Sequence, residues 1–171
     1  MGNDFWLVVR FWGTLFLIGA IAYPMTGLIF KNWWDKGYLF SKSAGLLIIS
    51  YLVWLGASLH FIPFTAASII ISGIAVLAAG VGLQIISRDN SAPVKLSLGV
   101  RIFKSISFKK IVIIFSEELF FFAALLLWSY VKGHEASIHG LEKFMDFGFA
   151  KSILDSAYFP PPDMWYAGFT I

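Results

Sequence analysis

The sequence contains no cysteine in 171 residues, which excludes a disulfide scaffold and leaves the redox compartment unread. Charge is scarce as well. Only 13% of residues are charged and 58% are hydrophobic, against about 25% and about 45–50% in soluble domains. With a mean hydropathy of +0.78, a soluble globular fold and a disordered chain are both excluded. Catalytic signatures of soluble enzymes are missing too: there is no phosphate-cradling glycine loop, serine nucleophile elbow or metalloprotease helix. The net charge of +3 does not indicate nucleic acid, because the basic residues sit in loops between apolar runs, where membrane topology accounts for them.

What the sequence does have is four apolar stretches of about 20 residues, the length that a hydrocarbon core of about 30 Å requires. They are expected at about 11–30, 43–62, 64–86 and 111–131, giving an all-α polytopic membrane protein with a transmembrane region over 1–131. Pro24 is expected to kink the first span, and Pro63 to break the chain between the second and third. Trp33 and Trp34 after the first span, and Trp128 and Tyr130 at the end of the fourth, suit headgroup interfaces. In the third span Ser68, Ser72, Ala75, Ala79 and Gly82 form a small-residue stripe suited to close helix packing.

Orientation follows from the loops. Those after the first and third spans hold Lys31, Lys36, Lys42, Arg88, Lys95, Arg101, Lys104, Lys109 and Lys110, nine bases against Arg10, Lys132, Lys143 and Lys151 on the other side. The basic loops, including 87–110, are therefore expected in the cytosol, with both termini and the tail 132–171 extracytoplasmic. The cell membrane is the expected location, and no nucleic-acid partner is expected.

Two regions could carry chemistry. Glu117 and Glu118 lie inside the fourth span, where an ionised carboxylate costs about 2.5–3.5 kcal/mol and needs a partner or a role. They differ by about 100° around the helix, so they cannot face one partner together. One is expected to reach Lys109 or Lys110 and the other a polar group in the bundle, unless they form a proton-linked site. The second region is the acidic tail, where Leu141 to Tyr158 reads as an amphipathic surface helix with Leu141, Phe144, Met145, Phe149, Ile153 and Leu154 apolar. Glu142 and Asp146, four apart, share a face of it, which a cation or polar acceptor between them would explain. His134, Glu135 and His139 invite a metal-site reading, although spacing fixes no further ligand and a polar loop explains them more simply. The run Pro160-Pro161-Pro162-Asp163-Met164-Trp165-Tyr166 imposes an extended path that holds its aromatics in place.

Two of these stretches also resemble a known family. Asp35-Lys36-Gly37-Tyr38-Leu39-Phe40-Ser41-Lys42, running on to Tyr51-Leu52-Val53-Trp54-Leu55, resembles the start of the archaeal and bacterial YYY membrane proteins. Glu142-Lys143-Phe144-Met145-Asp146-Phe147 and Tyr158-Phe159-Pro160-Pro161-Pro162-Asp163-Met164-Trp165-Tyr166-Ala167-Gly168 resemble that family's first outer loop, with Phe144-Met145 replacing the usual Pro-Met. The resemblance implies a polytopic protein similar to GT-C glycosyltransferases, which take sugar from a lipid-phosphate donor. Carried over, Glu142 and Asp146 become candidates for general base or metal ligation, and Lys143, Asp163, Trp165 and Tyr166 for substrate binding. A divalent cation such as magnesium or manganese is the cofactor compatible with this chemistry. The family's pattern continues into an Asn-Tyr-Tyr-Tyr motif after the point where this sequence ends, so the 171 residues are expected to be an N-terminal fragment without transfer activity of its own.

Two other classes compete. A non-catalytic four-helix scaffold would use the small-residue stripe of the third span to bind a partner. A transporter built around Glu117 and Glu118 is weakened by the lack of an inverted repeat.

Overall fold

The computed structural model describes residues 2–89, 108–134, 137, 143–166 and 168–170. Among them are five helices: α1 (Gly2–Ile29), α2 (Tyr38–Ser58), α3 (Ala66–Asp89), α4 (Phe108–Gly133) and α5 (Lys143–Asp155). The first four contain stretches long and apolar enough to cross a membrane, at Asp4–Ile29, Tyr38–Ser58, Ala66–Ser87 and Lys110–Gly133. The chain is an all-helical, multi-pass membrane protein. The basic segment Lys95, Arg101 and Lys104 lies outside the described residues.

α1 packs against α2 and α3, which also touch each other, and α4 leans on α1. The α1–α2 seam is built from small residues. Ala22 and Ser41 are fully buried, and a Cβ on Gly45 would stand 2.8 Å from the Ile18 carbonyl oxygen and 3.0 Å from the Ala22 Cβ. Ser41 satisfies its hydroxyl within α2 by donating to the Tyr38 carbonyl at 2.7 Å. Without a hydrophobic drive between helices in lipid, this close backbone approach is what supplies dispersion contact. Ile49, Val53 and Val76 form the small apolar centre, backed by Ile18, Ile21 and Phe64.

α3 uses only part of the stripe expected of it: Ser68 is buried and Ser72 and Gly82 are half-buried. Ala75 and Ala79 are exposed, whereas Gly73, Val76 and Gly80 face the bundle. Gly80 lets α3 approach the turn of α1 at Pro24, where an added Cβ would lie 3.0 Å from the Met25 nitrogen. One turn on, the Gln84 amide donates to the Pro24 carbonyl at 2.8 Å. Pro24 lies inside α1 without ending it, and this polar clamp sets the depth of α3 against it.

Two turns differ from expectation. α2 begins at Tyr38, earlier than the expected Ser43, because Asp35 organises its start. Its carboxylate accepts from the backbone N–H of Gly37 (3.0 Å) and Leu39 (2.9 Å), groups that a helix leaves unpaired. Gly37 has φ 75°, and a Cβ there would stand 2.7 Å from the Phe30 ring, so glycine meets both demands. α2 ends at Ser58, ahead of Pro63, because His60 takes a left-handed conformation (φ 58°) while its N–H donates to the Ala57 carbonyl. Pro63 instead precedes Thr65, whose hydroxyl accepts the Ser68 N–H and caps α3.

Gly45→Ala is expected to force α1 and α2 apart at a cost of about 1–3 kcal/mol, read as a lowered melting temperature of the detergent-solubilised chain. Gly82→Ala, which would meet nothing within 4 Å, is the matched control expected to leave it unchanged.

Candidate functional site

The turn capped by Asp35 places Tyr38 and, one helical turn later, Lys42 on the face of α2 that looks toward α4. Gly19 of α1 makes room for them, since a Cβ there would meet the Lys42 side chain at 2.9 Å. Glu118 of α4, about 12 Å along the helix from Lys110, points into this space and is 8% exposed. Its Oε1 accepts from the Tyr38 hydroxyl (2.6 Å) and pairs with the Lys42 ammonium. Its Oε2 accepts from the Trp12 indole N–H of α1 at 3.1 Å. The ammonium, with its side chain only 12% exposed, lies 5.0 Å from the Tyr38 ring centre and 4.9 Å from that of Phe121, which adds cation–π attraction. Trp12 in turn packs edge-on against Phe122.

Glu118 is thus joined to Lys42, and the expected pairing with Lys110 is not formed by either glutamate; the Lys109 side chain lies outside the described residues. Lys42 was counted above as a loop base, but it lies in α2 with its side chain only 12% exposed. Glu117 points elsewhere. Neither of its buried carboxylate oxygens has a hydrogen-bond partner among the described residues. A narrow crevice lined by Tyr23, Trp34, Asp35, Lys36, Lys110, Ile113 and Ile114 lies beside this region.

The acidic tail occupies the other end of the bundle, where α2 stops and α3 starts. The Phe64 N–H donates to the Ala157 carbonyl (2.6 Å), His60 stacks on Tyr158 with ring centres 4.8 Å apart, and Phe64 meets Phe159 edge-on. From there the chain turns back on α5. The Ser152 hydroxyl donates to the Pro162 carbonyl, Met164 fills the space left by Gly148, and Trp165 packs edge-on against Phe149 at 5.7 Å. Pro162 and Thr170 bridge across the loop, and Gly168 turns it with φ 91°.

This construction sorts the sequence candidates. Asp163 shapes the turn that presents the rings of Trp165 and Tyr166: its Oδ1 accepts from the N–H groups of Trp165 (2.8 Å) and Tyr166 (3.1 Å). Trp165, Tyr166 and Asp146 are exposed. The Lys143 ammonium donates to the Ser137 carbonyl at 3.4 Å. Glu142, Glu135 and His139 lie outside the described residues, and among the described ones no three His, Asp or Glu gather as metal ligands. His134 is engaged locally, its Nδ1 lying 2.8 Å from the Tyr130 carbonyl oxygen. On α5 Ser152 is buried against the loop, while the apolar Phe144 and Leu154 are exposed.

The residues missed from sequence are Trp12, Asp35, Tyr38 and Lys42. A signal existed for Lys42: a base directly abutting an apolar span, four residues after a tyrosine, in a chain whose fourth span holds unpaired acids.

A family model described as "Uncharacterized membrane protein (DUF2298)" matches residues 48–171, which includes Glu117, Glu118 and the whole tail. No curated protein and no solved structure matches the chain.

Glu118→Ala strands the Lys42 ammonium and is expected to destabilise the bundle by about 3–5 kcal/mol, whereas Glu118→Met combined with Lys42→Met restores most of that loss. Thermal unfolding of both variants in detergent measures it, and equal losses in the two would count against the pairing.

Proposed function

We propose, from the premise that the chain belongs to the uncharacterized membrane protein family DUF2298, that it is a membrane-embedded region of a glycosyltransferase of the GT-C kind. The observation that carries this reading is the ledge: an exposed carboxylate, Asp146, on a helix fixed to the end of two spans, beside the exposed rings of Trp165 and Tyr166. In this reading the ledge lies on the extracytoplasmic side and the donor is a lipid-phosphate-linked sugar. Asp146, with Glu142, accepts the proton of the acceptor hydroxyl as its oxygen bonds to the sugar and the sugar–phosphate bond breaks. The departing phosphate is left with negative charge that Lys143 or a magnesium or manganese ion would neutralise. Trp165 and Tyr166 offer flat apolar faces against which a sugar ring stacks, and Asp163 sets their position.

A second reading, a non-catalytic membrane scaffold, is favoured by one observation: Ala75 and Ala79 lie exposed on α3, where another helix could approach closely.

Asp146→Asn and Glu142→Gln, made in the full-length protein in native membranes, are expected to lower sugar transfer from a lipid-phosphate donor by about 10²–10⁴-fold without changing protein abundance. Unchanged transfer in both variants would sink the catalytic assignment. Under the scaffold reading those two variants are silent, and Ala79→Leu breaks co-purification with a partner instead.

A further inference from the structure

α5 presents three distinct sectors to its surroundings. One packs on its own loop through Gly148, Phe149 and Ser152. A second carries Asp146. The third carries Phe144, Phe147 and Leu154, which are 53%, 58% and 70% exposed, and between Phe147 and Phe144 around the axis the exposed Lys151, paired with Asp155. The loop adds Trp165, Tyr166 and Phe169, all more than half exposed. Large apolar groups so concentrated are costly to leave in water, at roughly 25 cal/mol for each Å².

What covers them follows from where the ledge is tied. Its anchor points, Ala57, His60 and Phe64, are the last residues of one span, the turn, and the approach to the next. The ledge is therefore continuous with the lipid-facing surface of α2 and α3, at the level where hydrocarbon gives way to headgroups. Aromatic side chains favour that level. The charges of α5 are balanced, Lys143 and Lys151 against Asp146 and Asp155, and Lys151 pairs with Asp155 at 2.6 Å. Attraction to anionic lipid is not the force available.

We infer that α5 and the 162–170 loop dock on the bilayer surface through Phe144, Phe147, Leu154 and Tyr166, inserting apolar side chains among the lipid headgroups. Around the helix axis Phe147 and Leu154 stand about 100° and about 80° from Asp146. With the apolar sector sunk into the interface, Asp146 comes to lie at the membrane–water boundary, facing sideways along the headgroups. Docking is independent of any transfer chemistry and needs no particular lipid charge.

The absence of cysteine makes the test direct. Single-cysteine variants Phe147→Cys, Leu154→Cys, Tyr166→Cys and Asp146→Cys of the whole chain are labelled with bimane in nanodiscs of phosphatidylcholine alone. Expected is several-fold stronger quenching by brominated lipid at 147, 154 and 166 than at 146, with iodide in the water giving the reverse order. Iodide access at all four positions would mean that the ledge stands clear of the bilayer. Protection from both quenchers at 147, 154 and 166 would mean that another protein covers the face. Equal lipid quenching at all four would mean that the helix is sunk without this orientation. Each of those three results overturns the inference, and none depends on whether the chain transfers sugar.

Discussion

An ionised carboxylate placed in hydrocarbon is costly unless donors within the protein meet it. Glu118 meets this demand with three groups from two other helices: the Trp12 indole, the Tyr38 hydroxyl and the Lys42 ammonium. Much of the bundle's construction serves that arrangement. Gly19 opens the space in which Lys42 turns toward α4, and Asp35 sets the first turn of α2 so that Tyr38 and Lys42 share a face. Because α4 has few other contacts with the bundle, this polar junction fixes its position more than apolar packing does. Between helices in lipid there is no hydrophobic drive, so hydrogen bonds to a buried carboxylate add to what close packing supplies.

The opposite end of the molecule follows a different logic. There the chain spends its polar groups on itself: Asp163 on the turn of its own loop, Ser152 on the Pro162 carbonyl, and backbone groups on the α2–α3 turn. The result is a ledge whose outward features include the rings of Trp165 and Tyr166, the Leu154 side chain, the Asp146 carboxylate and the Lys151–Asp155 pair. A platform of that kind holds a reactive group at a set height over a membrane, which a floppy tail would not do. This is the physical basis for reading the ledge, rather than the glutamates within the bundle, as the place where a lipid-linked substrate is met.

Hydropathy alone was enough to read four membrane helices, because the requirement for about 20 apolar residues leaves few alternatives. Helix ends were less legible. Asp35 starts α2 through its side chain, and His60 ends it through a left-handed backbone, neither of which is a strong pattern in isolation. Small residues misled more than large ones: the part of the regular stripe at Ala75 and Ala79 faces outward, while Gly73 and Gly80 do the packing, since helix rotation about its axis is set by contacts from other segments. For the same reason Glu118 could be recognised as needing a partner, but its partners 76 and 106 residues away could not be named from spacing. Asp163 was read only as a substrate-binding candidate, and its Oδ1 accepts the backbone N–H groups that shape the turn.

The order of the donors along the chain bears on how the protein is made. Trp12, Tyr38 and Lys42 all precede Glu118, so during synthesis from the N-terminus they have entered the bilayer before the acid-bearing segment leaves the ribosome. α4 need not partition into lipid as a solitary helix carrying two glutamates. It can pass from the insertion machinery onto a waiting surface of matched donors, so that assembly of the first helices becomes the condition for integrating the fourth.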